Sequence, residues 1–170
     1  MNIETLVVGP LETNCYILSD PVSREAVVID AGDDGDSIWQ VIQQKQLQVK
    51  YILNTHGHFD HIQANDSLRD KTGAPLAIHA DDAELLLAPE KVSAGMYMQV
   101  NGCREPEILL HNGDVILLAH ISCVSFIRRG TAGAAAAFMK WRRRFALPEI
   151  RCFGAVSAVL ICMAAIMRCC

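Results

Sequence analysis

Within the six positions from His56 to His61 the chain places three of its six histidines and one aspartate, in the order His-Gly-His-Phe-Asp-His. The hydrophobic run Val49-Lys50-Tyr51-Ile52-Leu53 leads into this cluster and reads as a buried strand. Ile62, Ala64 and Leu68 follow at helical spacing. The cluster therefore falls on a strand-to-helix loop, a place where a rigid scaffold commonly presents chemistry.

Imidazole and carboxylate are ligands that suit zinc and its neighbours. His56 and His58 flank Gly57, so the backbone can turn sharply and aim both rings at one ion. Asp60 and His61 come one turn later and are placed to serve a second ion. Two such ions share a water and lower its pKa toward neutrality, which gives a hydroxide nucleophile. The alternative is a solvated His-rich loop; the His-x-His-x-Asp-His spacing directly after a hydrophobic strand weighs against it.

Together with Thr55, the cluster resembles the Thr-His-x-His-x-Asp-His signature of the metallo-β-lactamase superfamily. Three flanking segments bring it nearest the glyoxalase II-like (hydroxyacylglutathione hydrolase-like) branch: Asn14-Cys15-Tyr16-Ile17, Val28-Ile29-Asp30-Ala31-Gly32 and His111-Asn112-Gly113-Asp114. The resemblance runs from the N-terminus to about Ile116. It implies an α/β fold, an αββα sandwich with metals at the sheet edge, of which only the N-terminal half is intact here. It also implies zinc, two ions in the family, with His56 and His58 on the first and Asp60 and His61 on the second. Asp60 is the catalytic candidate among them. The implied activity is hydrolysis of a small-molecule thioester or ester by a metal-bound hydroxide. The family's third histidine for the first metal, in a His-Thr-Pro-Gly-His segment, has no counterpart in the chain as written. The same holds for its bridging aspartate and its last histidine.

Charge divides the chain in two. Residues 1–120 carry 7 Lys+Arg against 18 Asp+Glu, a net −11, whereas residues 121–170 carry 8 against one, a net +7. An asymmetry this steep marks two segments of different origin or task. The acidic first part argues against a nucleic-acid substrate. Met1-Asn2-Ile3-Glu4 lacks the basic and apolar regions of a signal peptide, which gives a cytoplasmic location as the expectation. The chain has seven cysteines, an odd number with four in its last 19 residues, and the rest show no Cys-x-x-Cys spacing, which does not suggest a disulfide framework.

Taken in order, strands are expected at Ile3 to Val8, Asn14 to Leu18 and Ala26 to Ile29, the last ending at Asp30. Asp30 reads equally as a group beneath the metal loop that orients ligands and as an ordinary turn aspartate beside Gly32. The spacing of Ile38, Val41 and Ile42 predicts a helix over 36–46, with Trp39 in the core or at its rim. Leu76 to His79 is a strand, with His79 structural, and a short helix runs to Leu87. Met96, Tyr97 and Met98 form a possible lip over the site or plain packing residues. Ile108 to Leu110 and Val115 to Leu118 are expected to pair as a hairpin around Asn112-Gly113. His111 sits at that turn and is not a replacement ligand; nor is His120.

From about Ala119 the alternation stops, so the chain divides into residues 1–118, the N-terminal part of the domain, and an aberrant tail, 119–170. The basic run Lys140-Trp141-Arg142-Arg143-Arg144 and the uncharged stretch from Cys152 to Met167 suggest a tail anchor, but the stretch is shorter than the ~20 residues a spanning helix needs. A frameshift accounts for more. Phe126 to Thr131 can be encoded so that the adjacent frame reads His-Thr-Pro-Gly-His, the missing family motif. Phe145 to Phe153 in the same frame reads Cys-Phe-Ala-Gly-Asp-Thr-Leu-Phe, the missing bridging-aspartate segment. The expected activity of the chain as written is therefore impaired. A metal-binding remnant without catalysis is the rival reading.

Overall fold

The computed structural model describes residues 1–88, 102–111 and 113–118, and the backbone of two further strands at 121–129 and 135–143. Met96 to Met98, His120 and the uncharged stretch after Cys152 lie outside the described residues.

Six strands form one sheet in chain order: β1 (Asn2–Val8), β2 (Thr13–Ser19), β3 (Glu25–Ile29), β4 (Gln48–Leu53), β5 (Leu76–His79) and β6 (Ile108–Leu110). The first three pair antiparallel, and β3 through β6 pair parallel. The parallel half follows from its connections. Helix α1 (Gly35–Gln44) joins β3 to β4, and α2 (Asn65–Thr72) joins β4 to β5. A helical crossover is what returns a chain to start a parallel strand. A 3₁₀ turn at Ala80–Asp82 and α3 (Ala83–Leu87) follow β5.

Both faces of the central strands are buried, so alternation sends apolar side chains two ways. Cys15, Ile17, Val28, Ile52, Leu76 and Ile78 face the helices, where Ile38, Ile42, Leu68 and Leu86 meet them. Tyr16, Leu18, Val27, Ile29, Leu53 and Ala77 face the other way, against Ile116 and Leu118. Each Val, Leu and Ile among them contributes roughly 1.5–3 kcal/mol when fully buried. Trp39 is half-buried at the rim of the helix-side core.

The expected hairpin does not form. β6 pairs parallel with β5, whereas β7 (Val115–Leu118) belongs to a second sheet with β8 (Ile121–Arg129) and β9 (Ala135–Arg143). The turn is closed locally by Asp114 N–H donating to the His111 carbonyl at 3.0 Å and His111 N–H donating to Asp114 Oδ2 at 2.8 Å. The reason for the crossing is burial. Placed in a second layer, Ile116 and Leu118 cover the face that carries Leu110 and Leu53, while Val115 and Leu117 alternate outward. The antiparallel pairing also carries the second sheet past Leu118, where the sequence pattern ended the regular domain.

Candidate metal centre

The site is built where β3 and β4 end side by side. Ile29 lies opposite Leu53, so Asp30 and Asn54 leave the sheet together at the carboxyl edge of its parallel strands. That edge is where α/β sheets gather ligands. Asp30 N–H still donates to the Leu53 carbonyl at 2.9 Å, with Asp30 in the left-handed region at φ 55°. A non-glycine residue holds that conformation at a cost of about 1–2 kcal/mol, which the surrounding contacts offset. Asn54 ties the loop to itself: its Nδ2 donates to the His61 carbonyl at 2.7 Å, and its Oδ1 accepts from Asn65 Nδ2 at 2.8 Å. The loop then turns through a 3₁₀ turn at Phe59–His61 and is pinned to the β3 exit by Gln63 N–H on the Gly32 carbonyl and Ala64 N–H on the Ala31 carbonyl, both at 3.0 Å.

Gly57 is needed for room and not for a left-handed conformation. Its φ is not in the positive region; a Cβ there would lie 2.6 Å from Leu85 Cβ and 2.9 Å from the Asp82 carbonyl oxygen. The close approach of α3 sets the path of the backbone between His56 and His58.

That path brings the rings together. The His56 ring centroid is 4.4 Å from that of His58 and 4.1 Å from that of His61. Asp30 lies beneath them. Its Oδ1 accepts from Thr55 N–H at 2.8 Å, and its Oδ2 accepts from Thr55 Oγ1 at 2.8 Å. Thr55 Oγ1 is in turn 2.9 Å from His56 Nδ1. His61 lies between two carboxylates, with Nδ1 3.2 Å from Asp30 Oδ2 and Nε2 3.4 Å from Asp60 Oδ2. Asp60 Oδ2 also accepts from Thr13 Oγ1 at 3.0 Å. Of the two readings of Asp30, the geometry selects the one in which it orients the loop.

The electrostatics separate two of the histidines. Burial, followed by the neighbouring His61, pushes His56 down to about 4, with Asp30 and Asp60 opposing. His56 is thus neutral near pH 7, the form a metal ligand requires. Burial also opposes charging of His61, but the contact with Asp30 and the charges of Asp30 and Asp60 outweigh it and raise His61 above its ordinary value.

Of the expected site residues, His56, His58, Asp60 and His61 share this loop. The sequence reading singled out neither Thr13 nor Asn54. Thr13 is 47 residues from Asp60, and no local pattern connects them. His79 is buried and structural, its Nδ1 accepting from Asp81 N–H at 3.1 Å. His111 is exposed, with its ring 6.3 Å from that of His79. Beside Asp60 a cleft runs between the β1–β2 turn and the 3₁₀ turn, lined by Pro10, Leu11, Thr13 and Phe59. The loop donors fit a divalent metal in kind and in proximity. They fall short in number: among the described residues no three His, Cys, Asp or Glu side chains make up a ligand set.

Residues 8–127 match the family model of the metallo-beta-lactamase superfamily. The chain belongs to that superfamily. Its fold agrees: a B3 metallo-beta-lactamase crystal structure, BLEG-1, superposes with a TM-score of 0.72 at 27% identity, covering 81% of this chain and 67% of that one. A probable metallo-hydrolase of Bacillus subtilis, YqgX, is 34% identical over 67% of this chain and 53% of its own length. Hydroxyacylglutathione hydrolase GloC of Haemophilus influenzae is 34% identical over 45% of this chain and 35% of its own. The chain spans about half the length of the curated relatives it matches most fully. Superfamily members are metal-binding hydrolases, and the histidine loop lies inside the matched residues.

Proposed function

We propose that this chain is a metal-dependent hydrolase of a small-molecule thioester or ester, similar to hydroxyacylglutathione hydrolase, and that as written it works poorly. The observation that carries the reading is the convergence of the His56, His58 and His61 rings over Asp30 at the sheet edge. The resemblance to GloC favours a thioester. In this reading His56 and His58 hold one zinc, and Asp60 and His61 hold a second. When bound, such ions supply Lewis acidity toward a scissile carbonyl and lower the pKa of water.

The chain's own residues supply the rest. Asp30 and Thr55 orient His56, and Asp30 and Asp60 bracket His61. Thr13 holds Asp60 Oδ2, which fixes that carboxylate against the loop. The cleft beside Asp60 offers Pro10, Leu11 and Phe59 as apolar walls for an acyl group. A catalytic zinc site takes three protein ligands plus water. Among the described residues this reading gives two donors per ion, which supports impaired turnover and favours the metal-binding remnant as the second reading. Among the described residues no helix is long and apolar enough to cross a membrane.

The test is zinc content per chain by atomic absorption, together with hydrolysis of a hydroxyacyl-glutathione thioester. Zinc binding that His56→Ala and His58→Ala abolish, with slow thioester turnover, is the expected result. Zinc binding without turnover selects the remnant. No zinc binding at all overturns both.

A further inference from the structure

We infer that Thr55 sets the tautomer of His56, holding the ring proton on Nδ1 and leaving Nε2 as a lone pair for a metal; its purpose rests on the metal-binding reading above. The argument is proton counting. Thr55 Oγ1 has one proton and two acceptor lone pairs. At 2.8 Å from Asp30 Oδ2 it donates that proton to the carboxylate. Thr55 N–H occupies the other carboxylate oxygen at 2.8 Å, so residue 55 grips Asp30 with both of its donors. His56 Nδ1 stands 2.9 Å from the same hydroxyl oxygen. With its only proton committed, Oγ1 meets Nδ1 as an acceptor, and Nδ1 carries the hydrogen. The reverse arrangement would turn a bare hydroxyl oxygen onto a carboxylate oxygen. In a half-buried site two facing lone pairs are unfavourable.

Which nitrogen of a ligating histidine is free depends on the bond the other one makes. Here the partner is a hydroxyl, which by itself can donate or accept. The direction comes from Asp30, 25 residues earlier in the chain, and Thr55 transmits it. Thr55 is thus a positioning residue, and the inference makes opposite forecasts for changes at 55 and at 30. Serine keeps the hydroxyl and should keep the tautomer. Valine removes it and should release Nδ1. Asparagine at 30 must keep its carbonyl oxygen on Thr55 N–H, which turns its NH₂ toward Oγ1. The hydroxyl then accepts from that NH₂ and donates to Nδ1, which moves the ring proton to Nε2.

The experiment is a long-range ¹H–¹⁵N correlation spectrum of histidine-labelled, metal-free protein at about pH 8, above the ordinary imidazole pKa, with His56 assigned from His56→Gln. The expected result is the Nδ1–H form in the unmodified chain and in Thr55→Ser, its loss in Thr55→Val, and the Nε2–H form in Asp30→Asn. An Nε2–H form in the unmodified chain overturns the inference, as does a tautomer unchanged in Asp30→Asn. If Thr55→Val does not fold, the serine and asparagine variants decide. Zinc affinity, measured separately by competition with a chromophoric chelator, should fall by roughly 10–100-fold in Thr55→Val, the range for a lost partner of a metal-ligating histidine. If the tautomers behave as stated but no variant binds zinc, the metal-binding reading fails and the tautomer assignment stands.

Discussion

Gly32 and Asp60 meet with no room between them. A Cβ on Gly32 would lie 2.1 Å from the Asp60 carbonyl oxygen. The β3 exit thus passes directly under the metal loop, and its close approach sets the height at which Asp60 and His61 are held.

Gly32→Ala should therefore displace the loop and not merely crowd it. The clash is with backbone, which has no rotamer to change, so the expected loss is about 3 kcal/mol or more, at the upper end of the range for overpacking. Urea denaturation measures it. A variant within 0.5 kcal/mol of the parent, about the spread of neutral surface changes, would show that the loop lies elsewhere in solution.

Asp82 is buried, and its Oδ2 has no hydrogen-bond partner among the described residues. Burial, followed by the charge of Asp81, pushes its carboxyl up to about 6. Its folded pKa is above its unfolded one, so the folded state binds the proton more tightly. The stabilising contribution is full below the unfolded value and is lost as pH rises through about 6. Asp82→Asn should thus be more stable than the parent at pH 8, by about 1–2 kcal/mol after discounting for relaxation. That gain should vanish near pH 4. Equal differences at both pH values would remove the titration of Asp82 as the cause.

Arg69 fastens the segment before β6 to α2. Its guanidinium donates to the Arg104 and Glu105 carbonyls at 3.2 and 2.9 Å and pairs with Asp66 at 2.9 Å and with Glu107. Glu107 in turn accepts from Leu76 N–H at 2.8 Å, at the start of β5. Arg69→Ala should cost about 2–3 kcal/mol, because a network of charge-assisted bonds loses its hub. Arg69→Lys should recover less than half, since an ammonium cannot span the same fork. Thermal melts of the three proteins rank them, and full recovery by lysine would contradict the geometry.

The metal count should track the ligand count. Expressed as written, the chain should carry fewer than two zinc ions and hydrolyse a hydroxyacyl thioester more slowly than a version whose residues after Leu118 are replaced by those the adjacent frame would encode. The reason is that the proposed reading gives each ion two donors among the described residues, where a catalytic zinc takes three. Two tightly held ions and equal turnover in the chain as written would refute it.

Much of the first sheet was legible from local pattern. The apolar run Ala26 to Ile29 and the run ending at Leu53 mark strands, because a strand buried on both faces needs apolar residues at successive positions. The helix expected over 36–46, and found at Gly35–Gln44, was legible from Ile38 and Ile42, which do enter the core. The histidine loop was legible because its donors are neighbours in sequence. The hairpin at 108–118 was misread for the opposite reason. Ile108 to Leu110 and Val115 to Leu118 have the pattern of paired strands, and nothing nearby says that Leu118 covers Leu53 in another layer.

By itself, then, the sequence determined most strands of residues 1–118, which helix faces are apolar, and that His56, His58, Asp60 and His61 occupy one polar bend, but not the strands at 121–129 and 135–143. These depend on spacing along a single chain segment, and spacing is local. Tertiary structure decided that β7 leaves the first sheet, that Gly57 and Gly32 are needed for space, that Thr13 reaches Asp60, and that Asp30 directs Thr55. Each of these joins residues 25 or more positions apart. Their partners are chosen by which packing buries the most apolar surface while leaving few buried donors or acceptors unmatched, and that condition exists only once the sheets and helices are stacked.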